Sequence, residues 1–377
     1  MIELIKQNCC GCSSCVNACP QKCVQMKFDL EGFAYPTVNK DACVNCGLCE
    51  DVCPIINNKN NNNEENTCYA AKAKDIKKRI NSSSGGVFQF LAEYIIRIGG
   101  VVVAPVFDEN FMLRHCLICD EFHLLSAIGS KYVQSDIGSV YKSVENLLKD
   151  NRYVYFAGTP CQIVGLKRYL RKEYSKLYTQ DIICHGVPSP LIWEKYINYL
   201  NRHKKKIISV NFRDKSKGWR RYSLSLIFKD GKQTRTPSIK DPYLKIYMKN
   251  ISIRPSCYNC NIKGDSFESD ITLGDFWGIE KVCPSLDDDR GTSLVMIHSH
   301  KGQLLFNNIR NNVDCSIVDK EQALKYNPSA IIQTKVPDIR TAFFEEVNNK
   351  PFMKVMKKYS SDGLIIETKR TIKSWFI

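Results

Sequence analysis

Two short cysteine runs near the N-terminus constrain this chain more than any other feature, because both have the same spacing. The first extends from Cys9 to Pro20 and the second from Cys43 to Pro54. Each contains C-x2-C-x2-C-x3-C-P, in which three thiolates bind one [4Fe-4S] cluster and the fourth binds the neighbouring cluster. The predicted ligands are Cys9, Cys12, Cys15 and Cys53 for one cluster, and Cys43, Cys46, Cys49 and Cys19 for the other.

The doubled pattern is similar to that of two-cluster bacterial ferredoxins, so residues 1–56 are interpreted as a ferredoxin-like domain. Zinc sites usually pair two C-x2-C units or mix cysteine with histidine, and disulfides need an oxidising compartment. Both are weaker interpretations of the same residues. Cys10 and Cys23 lie outside the pattern, and we expect them to be small buried side chains.

Length and charge narrow the class of protein. The chain has 377 residues, too many for a ferredoxin alone, and a formal net charge of +15. We find no nucleic-acid-binding motif and expect no nucleic-acid partner; an acidic protein or an anionic small molecule suits the charge equally well. Nineteen cysteines, no apolar leader and no membrane-length apolar run together predict a cytoplasmic protein without a membrane span.

Composition divides the rest of the chain. Residues 57–67 are Asn-rich, lack hydrophobic periodicity and are predicted to be a linker. Residues 68–335 alternate strands with amphipathic helices, then resemble antiparallel strands after residue 207. Residues 336–377 are predicted to be a helical tail whose aromatic and methionine side chains pack onto the main domain. The fold class is α+β with a mixed sheet.

A second cysteine set follows predicted strands and loops. Its members are Cys161, Cys184, Cys257 and Cys260. Four thiolates are enough for one zinc ion or one more cubane, but cysteine is also often simply buried, and the spacing leaves these alternatives open.

Several ordered motifs then carry a family resemblance. They are S-S-G-G-V-F at 83–88, G-S-K-Y-V-Q-S at 129–135, G-T-P-C-Q-I-V-G-L at 158–166, F-R-D-K-S-K-G-W at 212–219, C-Y-N-C at 257–260 and S-D-I-T-L-G-D-F-W-G at 269–278. The chain resembles the coenzyme F-420 hydrogenase/dehydrogenase beta-subunit family with an N-terminal ferredoxin extension. The resemblance implies an FAD-binding domain at 68–335. It also implies a third [4Fe-4S] cluster on the second cysteine set. Cys184 stands in C-H-G-V-P, a segment in which members of the family vary.

The predicted cofactor residues occupy two loops. Ser83, Ser84, Gly85 and Gly86 precede a helix, where backbone N–H groups bind anions. In the second loop, Ser130 would pass close to the cofactor and Lys131 would place a cation beside its pyrophosphate or flavin ring. A capped core helix and a surface lysine are the structural alternative. His185 is the candidate acid–base residue, with a purely structural histidine as its alternative.

These features predict an iron–sulfur flavoprotein oxidoreductase. A flavin exchanges one or two electrons, so it can join one-electron clusters to a two-electron organic reaction. The expected partners are ferredoxin or another redox protein, and an organic substrate or the deazaflavin coenzyme. The alternative is a non-catalytic electron-transfer subunit that serves a separate catalytic protein.

Overall fold

A computed structural model describes residues 2–57, 67–203, 206–264 and 267–361. Most of the predicted linker, at 58–66, lies outside the described residues. So do Lys204 and Lys205, and the predicted tail beyond Ser361.

The N-terminal region is small and contains one hairpin between two short helices. Its elements are α1 (Ser14–Ala18), β1 (Val24–Phe28), β2 (Ala34–Val38) and α2 (Leu48–Asp51). Strands β1 and β2 pair antiparallel and form the hairpin. The turn is closed by Asp29, whose Oδ1 accepts from the Phe33 amide at 2.8 Å.

Eleven strands follow in the described part of the chain beyond residue 66. They are β3 (Thr67–Ala73), β4 (Val101–Phe107), β5 (Leu113–Ile118), β6 (Val154–Ala157), β7 (Leu177–Ile182), β8 (Ile207–Asp214), β9 (Ser223–Phe228), β10 (Gln233–Pro237), β11 (Ile271–Asp275), β12 (Ser293–Ile297) and β13 (Val313–Val318). One eight-stranded sheet has the order β13-β3-β12-β11-β7-β6-β4-β5, and β10-β9-β8 form a separate sheet. Strands β4, β6, β7 and β11 are parallel and the flanking strands antiparallel, so the predicted mixed sheet is confirmed.

Helices cover both faces of the large sheet. They are α3 (Ile76–Asn81), α4 (Val87–Arg97), α5 (Glu121–Leu124), α6 (Val140–Lys149), α7 (Pro160–Leu170), α8 (Pro190–His203), α9 (Pro242–Met248), α10 (Ile279–Val282), α11 (His300–Asn307), α12 (Lys320–Lys325), α13 (Arg340–Asn349) and α14 (Phe352–Ser360). Because strand side chains alternate, Val102 and Tyr155 pack with α4 while Val103 and Phe156 pack with α6 and α7. This gives the sheet two hydrophobic layers.

The smaller sheet and the C-terminal helices share a third, aromatic core. Trp193, Phe212 and Tyr243 pack there with Phe343 and Phe344 from α13. Met356 of α14 is also fully buried in this cluster. The predicted packing of the tail against the main domain is therefore confirmed for its described residues. Among those residues, no helix combines the length and hydrophobicity needed to cross a membrane.

The functional residues lie where two parallel strands end. Strand β6 leads into the loop before α7, which begins with Pro160 and Cys161. Strand β7, its neighbour, ends just before Cys184. Because parallel strands place their carboxyl ends at one edge, these loops lie side by side, where α/β folds usually bind ligands.

Candidate functional site

The first predicted ligand set is gathered inside the N-terminal region. All four of its cysteines are buried. The pKa of the Cys15 thiol is raised by burial and then by the nearby thiols of Cys12, Cys9 and Cys53. Cys53, from the second run, thus joins three cysteines of the first, as the ferredoxin spacing predicts.

The second set is also grouped but lies closer to solvent. Burial and the thiols of Cys46 and Cys19 raise the pKa of Cys49. Cys46 is exposed, and Cys43 and Cys49 are half-buried. Cys23 is buried, as expected, and its Sγ lies 3.4 Å from the Cys19 Sγ. This cysteine is therefore packed against the second set without belonging to the ferredoxin spacing.

The third set converges from three separate segments of the main domain. The pKa of Cys184 is raised first by burial and then, among neighbouring thiols, by Cys257, Cys161 and Cys260. Gly186 makes this approach possible, because a Cβ there would lie 3.3 Å from the Cys257 Cβ. Four thiols are thus placed together at the carboxyl edge of the sheet, a donor set suited to a cubane.

All nineteen cysteines of the chain are free thiols. Within the described ranges, no three His, Cys, Asp or Glu side chains converge closely enough to hold a single metal ion. In a four-iron cubane each thiolate binds a different iron, so the ligands of a cluster are spread more widely than those of one ion.

The first set is docked directly against the main domain. The Ser14 hydroxyl donates to the Gly165 carbonyl at 2.8 Å. A Cβ on Gly165, in α7, would lie 3.1 Å from the Cys12 Sγ and 2.8 Å from the Cys12 Cβ. Glycine at this position therefore lets a predicted ligand of the first set approach the helix that carries Cys161.

Cys10 lies between the first and third sets. Hydrogen bonds with Cys12 and with Cys161 are the two largest causes that raise the pKa of its thiol well above the ordinary value. Cys12 belongs to the first predicted set and Cys161 to the third. The expectation that Cys10 is buried is therefore corrected, because this residue is half-buried and lies between the two sets.

The two predicted cofactor loops meet at one cavity of about 670 Å³. Ser83, Ser84, Gly86, Ser130 and Lys131 line it, together with Cys184 and His185. The Ser130 amide donates to the Ser83 hydroxyl at 2.5 Å, which joins the loops. The cavity is within the size range of small-molecule sites.

Helix α4 begins without a serine cap. Gly86, at φ 87°, is its N-cap, whereas the Ser84 hydroxyl donates to the Thr292 carbonyl at 2.7 Å. Gly85 is held so tightly that a Cβ would lie 2.3 Å from the Ala71 carbonyl oxygen and 2.6 Å from the Ser293 nitrogen. Gly85 thus fixes the loop against β3 and β12 rather than lining the cavity.

Lys131 stabilises its own loop. Its Nζ donates to the carbonyls of Ala127 at 2.9 Å, Ile128 at 3.3 Å and Gly129 at 3.1 Å. Burial lowers the pKa of Lys131 to about 7. The side chain lines the cavity, but these three bonds direct its amine toward the backbone; contact with a cofactor phosphate stays a prediction.

His185 is half-buried beside the third set and lines the same cavity. Its Nε2 lies 2.5 Å from Asn250 Oδ1, and its Nδ1 lies 3.4 Å from the Ser329 hydroxyl. Burial lowers its pKa to about 4, so the ring is neutral near pH 7. An acid–base role for this histidine stays a prediction.

Arg213, Asp275 and Trp277, which belong to the motifs at 212–219 and 269–278, all line the cavity. Arg213 Nη1 donates to Asp275 Oδ2 at 2.6 Å and to the Tyr132 hydroxyl at 3.1 Å. Trp277 stacks on Trp219 with ring centroids 4.7 Å apart. The signals for this group were the basic, aromatic stretch at 212–221 for Arg213 and the motif at 269–278 for Asp275 and Trp277.

Arg254 was missed altogether, although it lies three residues before Cys257. It is buried, and its Nε donates to the Cys9 carbonyl at 2.6 Å. Its Nη1 donates to Gln134 Oε1 at 3.0 Å and its Nη2 to the Ala34 carbonyl at 2.8 Å. One side chain thus connects the loop of the third set to the loop of the first.

A buried histidine next to the cavity predicts a pH dependence of stability. His115 Nε2 donates to the Ala157 carbonyl at 3.0 Å, and its Nδ1 accepts from the Ser135 hydroxyl at 3.1 Å. Burial lowers its pKa from 6.5 to about 4. Below pH 6.5 His115 is protonated in the unfolded chain but stays neutral in the folded chain down to about pH 4. The free energy of unfolding therefore falls as the pH decreases.

Between pH 6.5 and pH 5 this histidine should reduce the free energy of unfolding by about 2 kcal/mol. Urea unfolding of wild type and His115→Gln across that range measures the effect. The variant, although less stable at pH 7, should show the shallower dependence on pH. Parallel curves for the two proteins would contradict this assignment. His123, exposed on α5, provides the control: His123→Gln should leave the slope unchanged.

The fold and the cysteine sets define an iron–sulfur protein with a ferredoxin-type N-terminal region. A 4Fe-4S dicluster domain matches residues 8–56, and the C-terminal part of the coenzyme F420 hydrogenase/dehydrogenase beta subunit matches residues 151–323. Residues 151–323 therefore carry the C-terminal domain of the coenzyme F420 hydrogenase/dehydrogenase beta-subunit family, and an iron–sulfur dicluster domain precedes it. The chain is related to an F420-dependent oxidoreductase over most of its length.

Individual relatives match different parts of the chain. The coenzyme F420-dependent sulfite reductase of Methanocaldococcus jannaschii is 23% identical over 84% of this chain and 48% of its own length. The ferredoxin-type protein NapF of Haemophilus influenzae is 41% identical over 12% of this chain and 25% of its own length. The chain thus spans half or less of the length of these two relatives.

Among solved structures, the F420-reducing [NiFe] hydrogenase complex from Methanosarcina barkeri, in a xenon derivative, contains a similar chain. The likeness has a TM-score of 0.45 at 15% identity and covers 66% of this chain and 81% of that one.

Proposed function

We propose that this protein is an iron–sulfur flavoprotein oxidoreductase that passes electrons between ferredoxin-type clusters and FAD, to reduce or oxidise an organic substrate or deazaflavin coenzyme. One observation carries the proposal. The third cysteine set lies between the first set, which it meets through Cys10, and the cavity, which Cys184 and His185 line. Bound clusters would supply one-electron transfer, and FAD would supply the change between one- and two-electron chemistry.

The chain's own residues support this use of the cavity. Gly85 lets the first cofactor loop pack against the sheet, and the bond between Ser83 and Ser130 holds the second loop against it. Neutral His185 is able to donate or accept a proton at the cavity wall while Asn250 fixes its ring. The cavity would hold the flavin between these loops and Cys184.

The twelve predicted ligands have distinct roles in this proposal. The second set, which includes exposed Cys46, would exchange electrons with a ferredoxin or another redox protein. The first set would connect it to the third. The third set, made of Cys161, Cys184, Cys257 and Cys260, would face the flavin.

A second candidate is an electron-transfer subunit that serves a separate catalytic protein. The exposed position of Cys46 in the second set favours it, because electrons could pass there to or from another protein. Turnover of a small organic substrate by the isolated chain would favour the oxidoreductase. Reduction of the flavin without any such turnover would favour the electron-transfer role.

The proposed function is tested by anaerobic purification followed by iron, sulfide and flavin quantitation. We expect about twelve irons per chain for three cubanes, and one FAD. About eight irons would remove the third cluster from the proposal. Absence of flavin after reconstitution with FAD would contradict the flavoprotein assignment.

A further inference from the structure

Arg213 lines the cavity and carries a buried hydrogen-bonding edge that no described residue uses. It follows Phe212 near the end of β8, and only 4% of its surface is exposed. Its Nη1 is engaged by Asp275 and Tyr132, at 2.6 Å and 3.1 Å. Its Nε and Nη2 have no hydrogen-bond partner among the residues that the structure describes.

The two unpartnered nitrogens belong to the same side of the guanidinium group. Their N–H bonds point in parallel, the arrangement with which arginine binds both oxygens of a carboxylate or two oxygens of a phosphate. A buried donor without a partner destabilises the folded protein. A ligand oxyanion would satisfy both donors at once.

The surroundings hold this edge in place. The guanidinium carbon lies 4.1 Å from the ring centroid of Tyr222 and 5.6 Å from that of Trp277. Asp275 raises the pKa of Arg213 and keeps it charged, although burial acts in the opposite direction. The side chain is therefore a fixed cation whose Nε–Nη2 edge has no partner among the described residues.

Nearby lysines are directed elsewhere. The Lys131 amine donates to three backbone carbonyls of its own loop. The Lys215 amine, also buried, donates to the carbonyls of Arg79, Ser84 and Arg290 at 2.6–2.9 Å. Burial lowers the pKa of both amines to about 7, which weakens them further as anion-binding groups.

We propose that the Nε–Nη2 edge of Arg213 is an oxyanion-binding subsite that recognises a carboxylate or phosphate group of the molecule in this cavity. The anion belongs either to the phosphates of the dinucleotide cofactor or to an acidic organic substrate. In the second case the inference rests on the proposed function and adds to it that the organic substrate is an anion.

Inorganic phosphate is the probe, and the thermal unfolding midpoint is measured at constant ionic strength with chloride as reference. Arg213→Lys keeps the charge and the contact with Asp275 but loses the planar edge. It should need about tenfold more phosphate than wild type for the same stabilisation. Arg221→Lys, at an exposed position, is the matched control and should behave as wild type.

The two sources of the anion give different results. If the cofactor supplies it, Arg213→Lys should weaken FAD binding, and phosphate should stabilise only the flavin-free protein. If the substrate supplies it, FAD affinity should be unchanged, and phosphate should stabilise the flavin-loaded protein. Equal phosphate stabilisation and equal FAD affinity in wild type and Arg213→Lys would overturn the subsite.

A second variant keeps the test decisive if Arg213→Lys does not fold. Asp275→Asn removes the carboxylate next to the subsite, so phosphate should bind more tightly than in wild type; weaker or unchanged binding would count against the proposal. Failure of the proposed function gives a different pattern. If the protein never binds FAD but phosphate still stabilises it in an Arg213-dependent way, the anion subsite is supported and the flavoprotein assignment is wrong.

Discussion

Replacing Cys257 by serine should remove about four irons from each chain and abolish reductant-driven reduction of the flavin through the N-terminal region. Cys257 lies in the third set, where its thiol is buried against Cys161 and Cys260. Serine would leave a cubane with three protein ligands in a site whose other thiols remain buried. Iron quantitation and flavin absorbance after addition of reduced ferredoxin measure the two effects.

The control for this experiment is Cys315→Ser. Cys315 is half-buried on β13 and belongs to none of the three sets, so its iron content and flavin reduction should match wild type. Cys10→Ala adds a sharper comparison. Cys10 contacts both Cys12 and Cys161 without being a predicted ligand, so iron content should be retained. Twelve irons in Cys257→Ser, or loss of iron from Cys10→Ala, would refute the assignment of the third set.

Local patterns in the sequence were sufficient for the elements that carry the site. The hairpin β1–β2, strand β4 and helix α7 follow from local signals, namely alternation, glycine positions and the proline at the start of α7. The grouping of three cysteines within each N-terminal set is likewise encoded in short spacings, which a tight loop converts directly into proximity.

Contacts between distant segments were not predictable from the residues alone. The spacing of Cys161, Cys184 and Cys257 carries no information about distance until strand order places β6 beside β7. The resemblance, rather than any periodicity, suggested that they belong together. Lys131 shows the converse problem: sequence identified a cation near the cavity but not that three carbonyls of its own loop bind it.

Replacing Arg254 by methionine should lower the free energy of unfolding by about 3–5 kcal/mol, because a buried, multiply bonded cation is removed from its partners. Its three hydrogen bonds reach Cys9, Gln134 and Ala34, on three different segments. The carbonyls of Cys9 and Ala34 would each lose this donor. Urea unfolding measures the loss. Arg235→Met removes an ion pair between the exposed Arg235 side chain and Asp214, and should cost about 1 kcal/mol.

The region that loses protection in the Arg254→Met variant distinguishes a role in holding the N-terminal region against the main domain from a role in general stability. Arg254 joins residues of the N-terminal region to the loop that carries Cys257, so amide hydrogen exchange should accelerate in residues 9–38 more than in the central strand β6. Flavin reduction by ferredoxin should slow even where iron content is retained, since the first and third sets would no longer be held together. Uniform acceleration of exchange across both regions, with unchanged transfer between them, would show that Arg254 supports the fold without positioning the ferredoxin-like region.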